Sequence, residues 1–210
     1  MTPRILVYGM VAALAGCAAP PPTQTAPQAD VSPAKTLQVL KSSFRDKGQA
    51  KVDRLDQDET QQLCSQYDGK PLPDSVAKRI ETLNQSSIKW PADGKYFGDW
   101  KNGEKIAQEG RGKQYSDDPK GPVGGNCYAC HQLTPQEISY GTIGPSLYRF
   151  GKQRGYTDEM RRYAYGKVWN AEAYNACSLM PRFGHSGILT EQQVKDVVAL
   201  LMDPQSPVNQ

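Results

Sequence analysis

The feature that most constrains this chain is the run Cys127-Tyr128-Ala129-Cys130-His131. The spacing C-x-x-C-H is the attachment signature of c-type haem, because its two thiols reach both vinyl groups and the next imidazole falls beneath the iron. A thioredoxin-like redox pair has no need of the histidine, and a zinc site would want two further ligands, preferably as another close pair. The motif occurs once, so we expect one covalently attached haem c.

The iron held by His131 needs a sixth ligand or keeps an open face. Met180 is the candidate, because it stands in the loop sequence Leu179-Met180-Pro181, where proline fixes the backbone. His185, Cys177 and an open site are the alternatives. Ligation by histidine and methionine raises the reduction potential and blocks access of substrate to the iron, which indicates electron transfer rather than oxygen chemistry.

A short segment between these residues, Gly144-Pro145-Ser146-Leu147, resembles the segment that class I cytochromes c place beside the proximal histidine. The resemblance implies that the carbonyl of Pro145 accepts a hydrogen bond from the His131 ring N–H. Such a bond fixes the tautomer and tunes the basicity of the ligand. A plain turn is the alternative.

The first residues of the chain predict export. The apolar run after Arg4 is too short to span a bilayer but fits the apolar part of a secretory signal. Its end, Leu14-Ala15-Gly16-Cys17, resembles the lipobox of bacterial lipoproteins. We therefore expect a signal peptide over residues 1–16 and a lipidated Cys17, with an ordinary signal cut near residues 18–19 as the alternative.

Residues 17–31 predict an extended polar tether, because they hold 4 prolines among Thr, Gln and Ala and such a composition builds no core. A tether behind a lipidated cysteine would keep the rest of the chain in the periplasm, beside a membrane. The formal net charge of +3 is too small to bind nucleic acid through overall positive charge, so we expect no nucleic-acid partner.

Helical patterns, and no strand pattern, follow the tether. Ser32-Pro33 predicts a helix start, a weak helical pattern covers residues 52–67, and Asp74 is expected to cap the next helix. The clearest helix begins at the capping box Thr190-Glu191-Gln192-Gln193. The 19 glycines and 16 prolines indicate long connections, which in a compact domain need an organising group.

Several separated motifs resemble the SoxX family, the small cytochrome subunit of the sulfur-oxidising SoxAX complex. They are residues 124–131, 141–147 and 177–184, the tail from 187 to 209, and the segment from 72 to 104, which is similar to longer members. The resemblance implies an all-α, class I cytochrome c fold around one haem. We expect a helical N-terminal extension over residues 32–100 and a cytochrome c domain over 101–210.

The family also implies a function that the spacing of residues does not give. SoxAX is an L-cysteine S-thiosulfotransferase that oxidatively joins thiosulfate to a cysteine of the carrier SoxYZ. The SoxX haem takes the released electrons and passes them to a small cytochrome c, while the catalytic haem belongs to the partner subunit SoxA. A free-standing, membrane-tethered electron carrier is the alternative, followed by a haem peroxidase or ligand sensor.

The chain has 5 cysteines, and each must be assigned a chemical state. We expect Cys127 and Cys130 to be bonded to haem and Cys17 to lipid. Cys64 and Cys177 remain, and in an exported chain two leftover cysteines favour a disulfide. Two free thiols, or a redox-active or ligating Cys177, are the alternatives.

One arginine of the methionine loop also carries an expectation. Arg182 follows Met180 by two positions. We expect its guanidinium to pair with a haem propionate or with the partner subunit.

Overall fold

The regular structure of this protein is helical. The computed structural model describes residues 32–210, in which no β-strand forms and Lys47 and Ala50 make an isolated bridge. The all-α class expected from the sequence is therefore confirmed. The expected signal peptide, Cys17 and the tether lie outside the described residues, and the division at residue 100 stays a prediction.

The helices between residues 32 and 210 follow one another with long connections. They are α1 (Pro33–Ser43), α2 (Glu59–Gln66), α3 (Asp74–Ser86), α4 (Trp100–Gln108), α5 (Phe150–Arg154), α6 (Asp158–Trp169) and α7 (Glu191–Met202). Short 3₁₀ helices lie at Val52–Leu55, Cys127–Ala129, Ala171–Ala173 and Pro207–Asn209. In this range no helix has both the length and the apolar character needed to cross a membrane.

Two predicted helix starts are confirmed. The Ser32 side chain caps α1 by accepting from the Lys35 N–H, and proline occupies the first turn. Thr190 and Gln193 form the capping box of α7, each side chain accepting from the other residue's backbone N–H.

Two other local predictions were wrong. The pattern over residues 52–67 breaks into a 3₁₀ turn and α2, because Asp58 forms its own capping box with Gln61 at the start of α2. Asp74 is the first residue of α3 rather than its cap; Pro73 stands at the cap position, and no side chain bonds there.

The core of residues 100–210 is the crossing of α4 and α7. A Cβ at Gly103 would lie 2.2 Å from the carbonyl oxygen of Asp196 and 2.9 Å from Cβ of Leu200. The two backbones approach this closely only because residue 103 carries no side chain. Val198 and Met202 of α7 are fully buried.

The part of the chain before α4, residues 32–99, docks on this core; we call it the extension. A buried polar network joins the two, in which the Asn84 side-chain amide donates to the Thr60 hydroxyl and accepts from the Asn170 amide, both at 2.8 Å. Asn84 and Asn170 are almost completely buried. Buried polar groups are stable only when they are paired, so this network fixes where the extension sits.

Aromatic side chains complete the junction between the extension and α6. The buried Tyr165 of α6 donates its hydroxyl to the Lys89 carbonyl at 3.0 Å, and its ring centre lies 5.5 Å from that of Tyr96. The Arg162 guanidinium stacks over Trp90 at 3.8 Å from the ring centre. Such contacts bury apolar area and add aromatic and cation–π attraction.

Candidate functional site

The haem-attachment motif forms a single tight turn. Cys127–Ala129 is a 3₁₀ helix, and the backbone N–H groups of Cys130 and His131 both donate to the Cys127 carbonyl, at 3.1 and 2.9 Å. Asn126 enters the turn in the left-handed conformation with φ 47°. One short turn therefore carries both cysteines and the histidine, as the spacing requires.

A second segment runs beside this turn and is bonded to it through the backbone. Gly141 donates to the Tyr128 carbonyl and Gly144 to the Cys130 carbonyl, both at 2.8 Å. Leu147 donates to the Gln132 carbonyl, also at 2.8 Å. The turn and this segment, residues 127–147, form one unit that we call the proximal side.

The His131 ring is oriented by a hydrogen bond within this unit. Its Nδ1 lies 2.7 Å from the carbonyl oxygen of Pro145. A carbonyl can only accept, so Nδ1 carries the proton and, in the neutral ring, Nε2 keeps the lone pair that a metal needs. The segment thus does more than turn the chain: it orients the imidazole of the predicted iron ligand.

Gly144 packs flat against the same ring. A Cβ at this position would lie 2.2 Å from Cε1 and 2.5 Å from Nδ1 of His131. No side chain fits between this backbone and the imidazole, so glycine permits the close contact that holds the ring in place.

Met180 lies in a loop, residues 177–185, that we call the Met180 loop. The Met180 side chain is half-buried and packs against the apolar core, and its N–H donates to the Ser178 hydroxyl at 3.2 Å. The loop reaches the proximal side through Phe183. A Cβ at Gly125 would lie 3.3 Å from the Cys127 sulfur and 3.5 Å from the Phe183 ring.

The N-terminal end of the Met180 loop is bonded to α2. A disulfide joins Cys64 to Cys177, with the two Cα atoms 5.4 Å apart. Cys177 adopts a left-handed backbone (φ 58°), and its N–H donates to a carboxylate oxygen of the buried Glu172 at 2.6 Å. Burial raises the pKa of the Glu172 carboxyl, although its hydrogen bonds from the Cys177 and Ser178 backbone oppose that rise.

The C-terminal half of the loop is also bonded to the extension. The Arg182 guanidinium lies 2.7 Å from a carboxylate oxygen of Asp58 and 3.5 Å from the Asn84 amide oxygen. Only 12% of the Arg182 side chain is exposed. The pairing expected from the sequence, with a propionate or a partner subunit, is not what the structure shows: the arginine is paired within the chain.

The structure also assigns other roles to the alternative sixth ligands. His185 points to the extension, with Nδ1 3.1 Å from the Ser87 hydroxyl, and burial lowers the pKa of its imidazole. Cys177 is in the disulfide. In this arrangement neither the His185 nor the Cys177 side chain is free to ligate iron.

Three residues at this site were missed in the sequence: Asp58, Asn84 and Glu172. Asp58 had a signal, because Asp58-Glu59-Thr60-Gln61 follows the capping-box pattern and marks a fixed helix start. Asn84 and Glu172 had no such signal in the sequence. Nothing next to a polar residue shows that a segment distant in sequence will bury it.

The residues present fit a haem. Burial raises the pKa of the Cys127 thiol to about 12, and a neutral thiol in apolar surroundings suits a thioether to a macrocycle better than a thiolate–metal bond. Exposed apolar side chains adjoin both predicted ligand loops: Ile143 is 75% exposed and Leu179 is 88% exposed. An apolar macrocycle beside these loops would cover surface of the kind that soluble domains usually bury.

Comparison with known proteins agrees with this arrangement. The family model for cytochrome c matches residues 100–203. A relative from Aquifex aeolicus (strain VF5), described as an uncharacterized lipoprotein, is 36% identical over 191 residues, which cover 90% of each chain. Residues 100–203 of this chain belong to the cytochrome c family. The prosthetic group of cytochromes c is haem c, and the class I cytochrome c fold that the resemblance implied is confirmed.

A solved structure is also similar to this cytochrome c. The crystal structure of SoxXA from P. pantotrophus matches with a TM-score of 0.36 and 27% sequence identity. The match covers 51% of this chain and 82% of that one.

Proposed function

We propose that this protein is a mono-haem cytochrome c that transfers electrons as one subunit of a SoxAX-type complex. The observation that carries the electron-transfer role is the bond from His131 Nδ1 to the Pro145 carbonyl at 2.7 Å. It leaves Nε2 available to ligate iron, on the same turn as Cys127 and Cys130. When bound, the haem supplies one-electron exchange through its iron.

The chain's own residues favour an exchange without substrate at the metal. Cys127 and Cys130 would hold the macrocycle covalently, and His131 and Met180 would ligate its iron. Met180 is flanked by Pro181 and by the disulfide at Cys177, so its thioether belongs to a loop with little freedom. An iron ligated by two protein side chains favours outer-sphere electron transfer.

The proposal of a SoxAX subunit is supported by the order of the motifs that resemble SoxX. It is also supported by the cysteine count. Cys64 and Cys177 form a disulfide, and Cys127 and Cys130 would be bonded to haem. With Cys17 lipidated, no thiol of this chain remains as a nucleophile. Thiosulfate conjugation to SoxYZ would then occur on a SoxA-like partner, with the electrons passing through this haem to a small cytochrome c.

Attachment to a membrane in the periplasm is part of the same proposal. It is supported by the lipobox-like sequence that ends at Cys17 and by the description of the Aquifex relative as a lipoprotein. A lipid anchor would keep the haem subunit and its partner close to the membrane surface.

Co-purification tests the complex most directly. When the full chain is produced with haem-attachment machinery together with a SoxA-like cytochrome from the same source, the two should elute as one heterodimer with thiosulfate-dependent haem reduction in the presence of SoxYZ. The control is the same preparation without the SoxA-like chain. Elution of two separate proteins would favour the free-standing carrier, because that carrier needs no catalytic partner.

A carbon monoxide titration separates both of these functions from a peroxidase or sensor. A six-coordinate ferrous haem should resist carbon monoxide, since no axial position is open. Rapid binding at low carbon monoxide concentration would favour the sensor or peroxidase.

A further inference from the structure

The extension bonds to the Met180 loop on both flanks of the methionine, and both bonds come from α2. Cys64, within α2, is linked to Cys177, three residues before Met180. Asp58, the N-cap of α2, is paired with Arg182, two residues after Met180. One helix of the extension therefore holds the two ends of the segment that presents the thioether.

The Asp58–Arg182 ion pair is not an ordinary surface contact. The Arg182 side chain is 12% exposed and the Asp58 side chain 40%, whereas most surface pairs are well solvated and contribute little. The two oxygens of Asp58 have separate partners: Oδ1 accepts from the Gln61 N–H at 2.9 Å, and Oδ2 lies 2.7 Å from Arg182. Because the cap fixes the carboxylate, the pair loses little side-chain entropy when it forms.

The second flank matters because the disulfide fixes only residue 177, before Met180. After Met180, the loop is also held where the N–H groups of Gly184 and His185 donate to the Trp169 carbonyl, both at 3.1 Å. The ion pair at residue 182 lies closer to the methionine and shortens the free segment to the four residues between 177 and 182, which must then span a fixed distance. A thioether bonds weakly to iron, so the geometry of its loop decides how often the bond opens.

We propose that Asp58 and Arg182 are positioning residues for Met180: their ion pair keeps the thioether at the axial position and limits its replacement by external ligands. This inference rests on the proposed axial role of Met180. Neither residue touches the reacting atoms. Their effect is to lower the population of an open state in which the loop has moved away.

Exogenous imidazole probes that open state in the full-length ferric holoprotein, because it competes with Met180 for iron. The variant Asp58→Asn keeps the cap of α2, since asparagine is also a good N-cap, but removes the charge. Arg182→Gln removes the other partner. We expect each variant to bind imidazole about threefold to tenfold more tightly than the unaltered protein, because each loses a partly buried ion pair. The double variant should bind imidazole no more tightly than the single variants, because both single changes remove the same pair.

Glu59→Gln is the matched control. Glu59 neighbours Asp58 in sequence and pairs with Arg79 of α3, but that pair is exposed and does not contact the Met180 loop. Its imidazole affinity should equal that of the unaltered protein. Arg182→Lys should bind imidazole with an affinity between those of the unaltered protein and Arg182→Gln, because lysine keeps the charge but lacks the planar guanidinium.

The Met180→Ala variant separates failure of this inference from failure of the proposed function. It should lose the weak sulfur-to-iron charge-transfer band of the ferric haem. If that band is unchanged in Met180→Ala, the axial role of Met180 is wrong. If the band is lost there but Asp58→Asn and Arg182→Gln bind imidazole like Glu59→Gln, the positioning role is wrong while the electron-transfer function stands. Far-ultraviolet circular dichroism confirms that each variant is folded.

Discussion

The proximal side and the Met180 loop differ in what holds them. The proximal side is bonded to itself: its three inter-segment backbone bonds, and the bond from His131 to Pro145, all lie within residues 128–147. The Met180 loop is bonded to a distant part of the chain, by side chains and by a disulfide that joins residues 113 positions apart. The geometry of the first is therefore local, and that of the second depends on another folded element.

We expect this difference to separate haem attachment from the tuning of the proposed sixth ligand. The bonds that orient His131 are all local, so the proposed covalent attachment should not depend on the extension. The position of Met180 should depend on the docking of the extension. Changes in the extension are therefore expected to alter the methionine side without disturbing the histidine side.

Removing the disulfide should have the largest effect and should fall mainly on the Met180 side. Replacing Cys64 and Cys177 together by serine should reduce the free energy of unfolding by about 3–5 kcal/mol, because the closed loop is long. Denaturant unfolding of the holoprotein, followed by haem absorbance and far-ultraviolet circular dichroism, measures this. Reductant should destabilise the unaltered protein but leave the double variant unchanged; equal sensitivity of both would contradict the assignment.

Gly144→Ala should act on the proximal side, not on the Met180 loop. The added methyl would overlap the His131 ring, since a Cβ there lies 2.2 Å from Cε1, and such overpacking costs about 1–3 kcal/mol. We expect less haem to be attached and a perturbed spectrum of the haem that is. Ser146→Ala is the control: it removes two exposed hydrogen bonds of the same segment, to the Gln132 side chain at 3.0 Å and from the Tyr148 N–H at 3.3 Å, and should attach haem normally. Normal haem attachment and an unchanged spectrum in Gly144→Ala would show that the ring is not held as described.

The smallest expected effect is a pH dependence confined to the Met180 side. Burial raises the pKa of Glu172 above its ordinary value of 4.5, so the folded state holds the proton more tightly than the unfolded state. Its contribution to stability is present below that ordinary value and is lost as pH rises through the folded-state pKa. Glu172→Gln should remove this loss, a change of less than about 1 kcal/mol.

Denaturant unfolding at pH 4 and pH 7, compared between Glu172→Gln and the unaltered protein, measures the difference. The variant should gain stability relative to the unaltered protein at the higher pH. A stability difference that is the same at both pH values would show that Glu172 does not titrate in this interval.

The sequence predicts those local parts of this molecule that a few adjacent residues specify. The capping box at Thr190 and the start of α1 at Ser32 are confirmed because each is specified within a few residues. The turn that carries Cys127 and His131 is likewise set by adjacent residues and by their spacing. The all-α class follows from helical periodicity without a strand pattern.

What the sequence does not predict is where distant segments meet. The pairing of Arg182 with Asp58 was not predicted, because nothing near Arg182 in sequence marks Asp58 as its neighbour. The burial of Asn84 against Asn170 results from the docking of α3 on the core, and periodicity alone does not give that docking. The break before α2 was visible as a capping box, but a weak apolar pattern across it favoured one longer helix.

The two attachments made by α2 turn that helix into a spacer of defined length. Asp58 and Cys64 are six residues apart on it, which corresponds to about 9 Å along the axis. A single inserted residue between them would rotate Cys64 by roughly 100° about the helix and break the match with Cys177. The rotational position of Cys64 on this short helix is therefore constrained as strictly as the identity of its end residues.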